Sequence, residues 1–209
     1  MKPIGISQRV EYIESYNERR DCLDQAWTTL TLQMGLLPFP LPTLAPDPTL
    51  LFTRFELQGL ILTGGNDLGQ DIHRDEFETG CVQTCIDRGW PILGVCRGMQ
   101  LLNQYFGGSL KGVDGHRAVR HELKSDWPLA PNEVNSFHAF TIDRLGNCLE
   151  PLAYSADGEV EAIKHSTLPI WAIMWHPERE NRLSNKDREI FLEVFLVVLT
   201  VLSGGRRKS

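Results

Sequence analysis

A cysteine at the junction of an apolar run and a helix-like segment is the strongest chemical signal in the chain. Gly94-Val95-Cys96-Arg97-Gly98-Met99-Gln100 joins the strand-like run Pro91–Val95 to Gly98–Phe106, which has helical spacing. A sharp strand-to-helix turn presents the residue at its tip as a nucleophile. Small residues flank such a turn because its backbone is strained, and a helix N-terminus favours a thiolate. The alternative is a buried core cysteine.

His176-Pro177-Glu178 follows the apolar run Ile170–Trp175 and offers a base and an acceptor. A thiol nucleophile needs a base that takes and returns a proton, and that base needs an acceptor to orient it. His176 and Glu178 can face one another around Pro177, which stiffens the turn. Alone, this short sequence is also typical of a surface loop. Together with the cysteine turn, it predicts a Cys96–His176–Glu178 triad.

A glycine pair, Gly64-Gly65, ends the apolar run Gly59–Thr63 and is the candidate oxyanion site. Glycine lets the backbone N–H of Gly65 approach a developing oxyanion without an intervening side chain. The N–H of Arg97, directly after the nucleophile, is the predicted second donor. A glycine pair is also common in plain tight turns, so this signal only supports the triad.

Strand-length apolar runs alternate with longer segments of helical spacing. The predicted strands are Ile4–Ser7, Gly59–Thr63, Pro91–Val95, Val134–Ser136, Glu159–Lys164 and Ile170–Met174, with Pro38–Pro42 as an extended edge segment. The predicted helices are Ser15–Met34 (stopped by Gly35), Asp71–Arg88, Gly98–Phe106 and a C-terminal helix capped by Ser184. This alternation predicts an α/β fold, a three-layer αβα sandwich with a mostly parallel central sheet. Ligands bind such sheets beyond the carboxyl ends of the strands, where the three motifs are expected to converge.

The size and charge of the chain limit the remaining possibilities. Its 209 residues suit one compact domain, predicted to span residues 1–202 with a flexible basic tail at 203–209. Lysine and arginine number 21 against 27 aspartate and glutamate, and this acidic balance argues against nucleic-acid binding. No membrane span is expected, because Ile190–Leu202 is shorter than the ~20 residues required and contains Glu193.

The cysteines are five in number and irregularly spaced, at Cys22, Cys81, Cys85, Cys96 and Cys148. An odd count without a Cys-x-x-Cys pair argues against disulfides and against a zinc site, so no metal is expected. Reduced thiols are typical of a reducing compartment. The N-terminal segment leads directly into a strand-like run rather than a secretion signal. We therefore expect a cytoplasmic location.

Three motifs together resemble those of class I glutamine amidotransferase domains, especially the free-standing γ-glutamyl hydrolase branch: Leu62–Gly65, Gly94–Gln100 and His176–Glu178. Their order and spacing match that family over roughly residues 4–202. The resemblance implies a flavodoxin-like fold, the triad above, and hydrolysis of a γ-glutamyl amide with release of glutamate. It also implies a glutamyl pocket formed by Gln100, Asn135, Ser136, Phe137 and His138. A plain strand-edge role is the alternative for Ser136 and His138.

A narrower likeness concerns Gly5–Val10, Tyr16–Asp24 and Gly64–Leu68, which are similar to segments of the γ-glutamyl-CDP-amidate hydrolases. It implies a nucleotide-linked substrate, cleaved to glutamate and cytidine diphosphoramidate for the phosphoramidate modification of bacterial capsule polysaccharide. Guanidinium groups pair well with phosphates. The candidate diphosphate contacts are therefore Arg9, Arg19 and Arg20, and the residues expected beside the leaving group are Gly64, Asn66 and Asp67. A solvated helix face is the alternative for Arg19 and Arg20.

The predicted chemistry needs no cofactor, because a thiolate, a base and two amide donors suffice. Three alternatives stay open. The first is hydrolysis of another γ-glutamyl amide, such as γ-glutamyl-γ-aminobutyrate or a polyglutamate. The second is a glutaminase subunit that feeds ammonia to a synthase partner, and the third is a catalytically silent binding domain, against which the intact triad argues. The sequence leaves the oligomeric state open, a homodimer included.

Overall fold

A nine-stranded mixed sheet forms the centre of the molecule, whose computed structural model describes residues 1–196. Five strands run parallel; in spatial order they are β4 (Leu36–Pro40), β1 (Lys2–Ile6), β5 (Leu60–Leu62), β6 (Ile92–Val95) and β13 (Ile170–Ile173). The strands β5 and β6 are entirely buried and carry no polar side chain, as parallel strands covered on both faces require. The proline-containing β4 is an edge strand, as predicted, because proline lacks the ladder donor.

Four further strands extend this sheet in antiparallel fashion beyond β13: β12 (Val160–His165), β11 (Leu149–Ser155), β8 (Arg117–Lys124) and β9 (Glu133–Phe137). Two separate two-stranded sheets pair β2 (Arg9–Ile13) with β3 (Glu18–Cys22), and β7 (Ser109–Gly112) with β10 (Phe140–Arg144). The sequence predicted β9 and β12 but not β8 or β11. Those two strands are partly exposed and rich in polar residues, so they lack the continuous apolar run that identifies a buried strand.

Helices cover both faces of the sheet. On one face lie α1 (Gln25–Gln33) and α5 (Asn185–Phe195), and on the other lie α2 (Pro48–Arg54), α3 (Ile72–Arg88) and α4 (Arg97–Tyr105). Successive strand residues point to opposite faces, so Ile61 and Leu93 pack against α1 and α5, whereas Leu60 and Ile92 pack against the other three helices. The predicted three-layer αβα sandwich is confirmed.

One predicted helix, Ser15–Met34, is wrong over its first half. Only α1 is helical there; before it the chain forms a 3₁₀ turn at Glu14–Tyr16 and the hairpin of β2 and β3. Asn17 turns the chain with a φ of 52°, and Asp24 starts α1 by accepting a hydrogen bond from the Ala26 N–H at 2.9 Å. The charged residues of β3 are exposed in the hairpin, which removes the predicted helical face.

The other predicted strands and helices are confirmed to within a few residues. Ser184 caps α5 as expected, because its hydroxyl accepts from the Asp187 N–H at 2.9 Å. Residues 197–202 of the predicted domain and the basic tail 203–209 lie outside the described residues. Within residues 1–196 no helix has the length and apolar character needed to cross a bilayer.

Candidate active site

Cys96 lies at the turn between β6 and α4, with φ 53° and ψ −106°. A positive φ is costly for a residue with a side chain, so the surrounding sheet must hold it. The Cys96 N–H donates to the Ile173 carbonyl of β13 at 2.8 Å. Glycine is required at position 98, since a Cβ there would collide with the carbonyl oxygen of Leu62. The sharp turn predicted from the sequence is present, and it carries a buried thiol.

His176 and Glu178 lie at the end of β13, where Pro177–Arg179 forms a 3₁₀ turn. His176 Nδ1 is 2.7 Å from Glu178 Oε1, and both side chains are buried. An added Cβ on Gly64 would lie 2.7 Å from His176 Cε1 and 3.6 Å from the Cys96 Cβ. The imidazole and the cysteine therefore lie side by side, with Nδ1 on the carboxylate and Nε2 free to face the sulfur.

The electrostatic environment favours a protonated His176. Burial lowers the pKa of this ring, but its hydrogen bonds with Cys96 and Glu178, and their charges, outweigh burial and raise the pKa to about 9. An imidazolium beside a cysteine stabilises the thiolate, which is the nucleophilic form. His176 thus contacts both Cys96 and Glu178, in the geometry of a nucleophile, a base and an orienting carboxylate.

Asn135 holds the backbone of the base rather than facing the pocket. Its Oδ1 accepts from the His176 N–H at 2.9 Å, and its Nδ2 donates to the His176 carbonyl at 2.8 Å and to Glu180 Oε1 at 2.7 Å. Both ends of the amide are therefore used by the protein. A side chain that was expected to bind the glutamyl group instead fixes the position of His176.

A buried arginine of α3 supports the glycine loop. Arg74 is fully buried, and its Nη2 donates to the carbonyl oxygens of Thr63 at 3.1 Å and Gly64 at 3.0 Å; its Nη1 donates to that of Gly65. In a trans peptide the C=O and the following N–H point in opposite directions. Binding of the Gly64 carbonyl therefore turns the Gly65 N–H away from Arg74, so that it is free for a ligand.

The same arginine is linked to the helix that carries the nucleophile. Arg74 Nε is 2.8 Å from Glu78 Oε1, and the other oxygen of this fully buried carboxylate binds the side chain of Arg97. Arg97 also pairs with Asp75. Burial raises the pKa of Glu78, but the two arginines outweigh it and hold the pKa below its usual range. One ionised network thus joins the glycine loop to the first residue of α4.

A pocket of about 160 Å³ opens in front of Cys96. Its lining includes the triad cysteine and histidine together with Gly65, Asn66, Asp67, Arg97, Gln100, Arg117, Phe137, His138, Ala139 and Arg179. Phe137 meets the His176 ring edge-on at 5.7 Å between centroids, and the guanidinium of Arg179 lies 4.5 Å over the Phe137 ring. Three arginines, the Phe137 ring and the Cys96 thiol therefore share one small pocket.

Several residues implied to contact substrate are brought to this pocket, but their polar groups are partly occupied. Gln100 Nε2 donates to the Phe140 carbonyl at 2.9 Å, leaving its oxygen available. Asn66 uses its amide to bind the backbone of Val10 in β2. Ser136 is fully buried and donates to the His116 carbonyl at 2.7 Å, and the pocket lining does not include it.

The three arginines proposed for a diphosphate lie apart from one another or away from the pocket, and Arg20 lies on exposed β3, where it pairs with Glu18. The stem of Arg9 crosses Gly65, and Arg9 lines a neighbouring cavity of about 40 Å³ that also touches His176. Arg19 lies on the exposed hairpin strand β3 and pairs with Asp71 at 2.5 Å. The structure does not bring Arg19 to the pocket, because the predicted helix that would have positioned it is a hairpin.

Sequence reasoning missed Arg74, Arg117 and Arg179. The spacing of Arg74 and Glu78 is that of an i, i+4 ion pair, which is common on solvated helix surfaces, so burial was the missing information. Arg179 directly follows the triad glutamate, and this adjacency is a signal that could have identified it. Nothing in the sequence around Arg117 points to the pocket.

Comparisons with known proteins agree on one family. The model of the class-I glutamine amidotransferase family matches residues 15–196. The gamma-glutamyl-CDP-amidate hydrolase of Campylobacter jejuni is 35% identical over 191 residues, covering 87% of this chain and 92% of that protein. A subunit of the glutamine-hydrolyzing GMP synthase of Methanococcus vannielii is 29% identical over 130 residues, 59% of this chain and 65% of that one.

Solved structures share the fold at low sequence identity. A candidate GMP synthase subunit from Thermoplasma acidophilum superposes with a TM-score of 0.74 at 21% identity, covering 98% of both chains. A glutamine amidotransferase from Thermotoga maritima superposes with a TM-score of 0.63 at 16% identity, covering 96% of this chain and 94% of that one. At these identities the likeness concerns the fold alone.

Proposed function

The chain belongs to the class I glutamine amidotransferase family, and on that premise we propose that it hydrolyses a γ-glutamyl amide through Cys96, His176 and Glu178. One observation carries this proposal: Cys96, at the strained N-terminus of α4, contacts the His176 ring. The Nδ1 of that ring is 2.7 Å from the buried Glu178 carboxylate. Such a set of groups supplies a nucleophile, a proton carrier and an orienting acceptor.

In the first step the Cys96 thiolate attacks the γ-carbonyl carbon, and a C–S bond forms. The N–H groups of Gly65 and Arg97 donate to the oxyanion, each contributing about 3 kcal/mol to the barrier reduction. As the tetrahedral intermediate collapses, the C–N bond breaks and His176 passes its proton to the leaving nitrogen. The glutamyl group remains on the enzyme as a thioester.

In the second step water hydrolyses that thioester. Neutral His176 takes a proton from the water as it attacks the carbonyl carbon, and the same two N–H groups bind the second oxyanion. The C–S bond then breaks, which releases glutamate and regenerates the thiolate beside an imidazolium. Glu178 keeps the ring oriented through Nδ1 in both steps.

We propose γ-glutamyl-CDP-amidate as the substrate, with cytidine diphosphoramidate as the second product, in the making of capsule phosphoramidate. The Campylobacter relative supports this choice through its name and its coverage of 92%. Arg117 and Arg179 add support, since both line the pocket of the thiol, where guanidinium groups suit an anionic substrate. A biosynthetic role of this kind and five unpaired cysteines, all within the described residues, favour the cytoplasm.

A second candidate is the hydrolysis of glutamine for a synthase partner. The relatives that are named as components of a GMP synthase favour it, although the matched region is 59% of this chain. In that case the isolated chain would release glutamate from glutamine slowly, and the rate would rise when the partner is added.

The test is glutamate release from γ-glutamyl-CDP-amidate, γ-glutamyl-γ-aminobutyrate and glutamine, each measured separately with the purified chain. We expect rapid release from the cytidine compound, loss of at least about 10⁴-fold in Cys96→Ala, and normal rates in Cys148→Ser, which alters an exposed cysteine. Faster release from another amide would replace the substrate and keep the chemistry. Undiminished turnover by Cys96→Ala would refute the mechanism.

A further inference from the structure

A second group of ionisable side chains lies behind one wall of the pocket. His116 precedes β8, His121 lies on it, His138 follows β9, and Glu161 lies on β12. One ligand atom from each of these side chains lies within 4.8 Å of all the others. Glu161 is fully buried, and of the three histidines only His121 is partly exposed. Three separate strands thus bring three imidazoles and one carboxylate to a common point.

The nitrogen–oxygen distances at this point fit metal ligands better than hydrogen bonds. Glu161 Oε1 lies 3.5 Å from His116 Nδ1, 3.4 Å from His121 Nε2 and 3.4 Å from His138 Nε2. An N–H···O bond is about 2.9–3.0 Å long. Bonds of about 2.0–2.1 Å from zinc to nitrogen and oxygen place tetrahedral ligand atoms about 3.4 Å apart. The three nitrogen–oxygen distances agree with the second arrangement.

The outer nitrogen of each ring faces an oxygen acceptor, which fixes its tautomer. These contacts are His116 Nε2 to Asp157 Oδ2 at 3.0 Å, His138 Nδ1 to the Phe140 carbonyl at 3.0 Å, and His121 Nδ1 to the Glu122 carbonyl at 3.4 Å. A carboxylate or a carbonyl can only accept, so the outer nitrogen of a neutral ring carries the hydrogen and the inner one carries a lone pair. Histidine ligands of metals are held in this way.

The atoms that face the common point have no hydrogen-bond partners among the described residues. Among residues 1–196, neither oxygen of Glu161 nor any of the three inner nitrogens has a hydrogen-bond partner. Buried polar atoms without partners are expensive, and here three lone pairs point at one carboxylate oxygen. A cation at the common point would satisfy all four groups.

We propose that His116, His121, His138 and Glu161 form a structural Zn²⁺ site. Nitrogen ligands with one carboxylate suit this ion, and four protein ligands leave no open position for catalysis. The sequence pointed away from zinc because its cysteines lack the usual spacing; the ligands instead come from three strands. The ion would hold His138, which lines the pocket, and thereby the neighbouring Phe137, which contacts the catalytic base.

The first test measures metal directly on the wild-type chain. Protein stripped with a chelator is titrated with Zn²⁺ against a chromophoric competitor, and metal content and melting temperature are recorded before and after. We expect one Zn²⁺ per chain and a higher melting temperature in the zinc-loaded protein. Co²⁺ should give the visible absorption of a four-coordinate ion, and six-coordinate Co²⁺ spectra would contradict the proposed geometry.

Variants then locate the ion. His121→Ala changes the most exposed ligand and Asp157→Asn changes only an outer acceptor, so both should fold. Asp157→Asn is expected to weaken zinc affinity by about 10–100-fold, and His121→Ala, which removes a ligand, should weaken it further. His73→Gln, on the exposed side of α3, is the control and should bind normally. Failure of the stripped wild-type chain to bind Zn²⁺, or equal binding by His121→Ala, would overturn the proposal whatever the glutamate-release assay gives.

Discussion

The guanidinium of Arg74 donates to the carbonyl oxygen of Gly64 at 3.0 Å from within the protein interior. This contact connects the candidate oxyanion loop to α3, and through Glu78 to Arg97 beside the nucleophile. Both predicted oxyanion donors therefore depend on one buried ion network. Arg74 touches no substrate in this arrangement, so it is a positioning residue.

Replacing Arg74 should lower kcat more than it changes KM. In Arg74→Met with Glu78→Gln, the loop loses its donors while the charge is kept balanced, and a misplaced oxyanion donor costs about 10²-fold. The single variant Arg74→Met should also lose about 3–5 kcal/mol of unfolding free energy, because it breaks a buried pair. Kinetics and denaturant unfolding measure the two effects. Arg88→Gln, at the exposed end of α3, is the control, and a change confined to KM would contradict a positioning role.

The space at Gly64 gives a second prediction. An added Cβ would lie 2.7 Å from His176 Cε1, so Gly64→Ala must displace the base from Cys96. We expect kcat to fall by about 10–100-fold with little loss of melting temperature. Gly112→Ala adds a methyl group where no atom lies within 4 Å, and this variant should keep full activity. Full activity in Gly64→Ala would mean that the ring has room to move.

The pH dependence should reflect His176. Hydrogen bonds with Cys96 and Glu178 raise its pKa to about 9, so the imidazolium needed to protonate the leaving nitrogen persists above neutral pH and is lost as the pH rises through about 9. We expect kcat/KM to fall along an alkaline limb near pH 9. Glu178→Gln removes the negative charge of one partner, so the alkaline limb of this variant should move to lower pH. An unchanged alkaline limb in that variant would show that Glu178 does not raise the pKa of His176.

The same shift affects stability. The pKa of His176 in the folded chain lies above the value of about 6.5 for an unperturbed histidine. The resulting contribution to the unfolding free energy is complete below about pH 6.5 and is lost as the pH rises through about 9. Denaturant unfolding at several pH values should therefore record a smaller decline over this interval in Cys96→Ala than in the wild-type chain. Equal declines would contradict the pairing of Cys96 with His176.

The sequence predicted the parallel half of the sheet and the convergence of the three motifs, because each motif follows a strand that is apolar on both faces. It did not predict the hairpin of β2 and β3. In this hairpin β3 pairs with β2, although the sequence of β3 has a helical pattern. The sequence also could not separate a substrate contact from a support. Asn135 and Ser136 carry the expected side chains, yet each binds backbone atoms far away in the sequence.

Asn135 allows these two roles to be distinguished. Its amide forms two hydrogen bonds with the backbone of His176, so Asn135→Ala should leave the base misplaced and lower kcat, at a cost of about 1–3 kcal/mol for each buried backbone group left unpaired. Substrate affinity is measured by calorimetry in the inactive Cys96→Ala background, with and without the second change. Equal affinities are expected if Asn135 only supports His176, and Asn132→Ala, at an exposed neighbouring position, is the control. A clear loss of affinity on removing Asn135 would instead return it to the glutamyl pocket that the family resemblance implies.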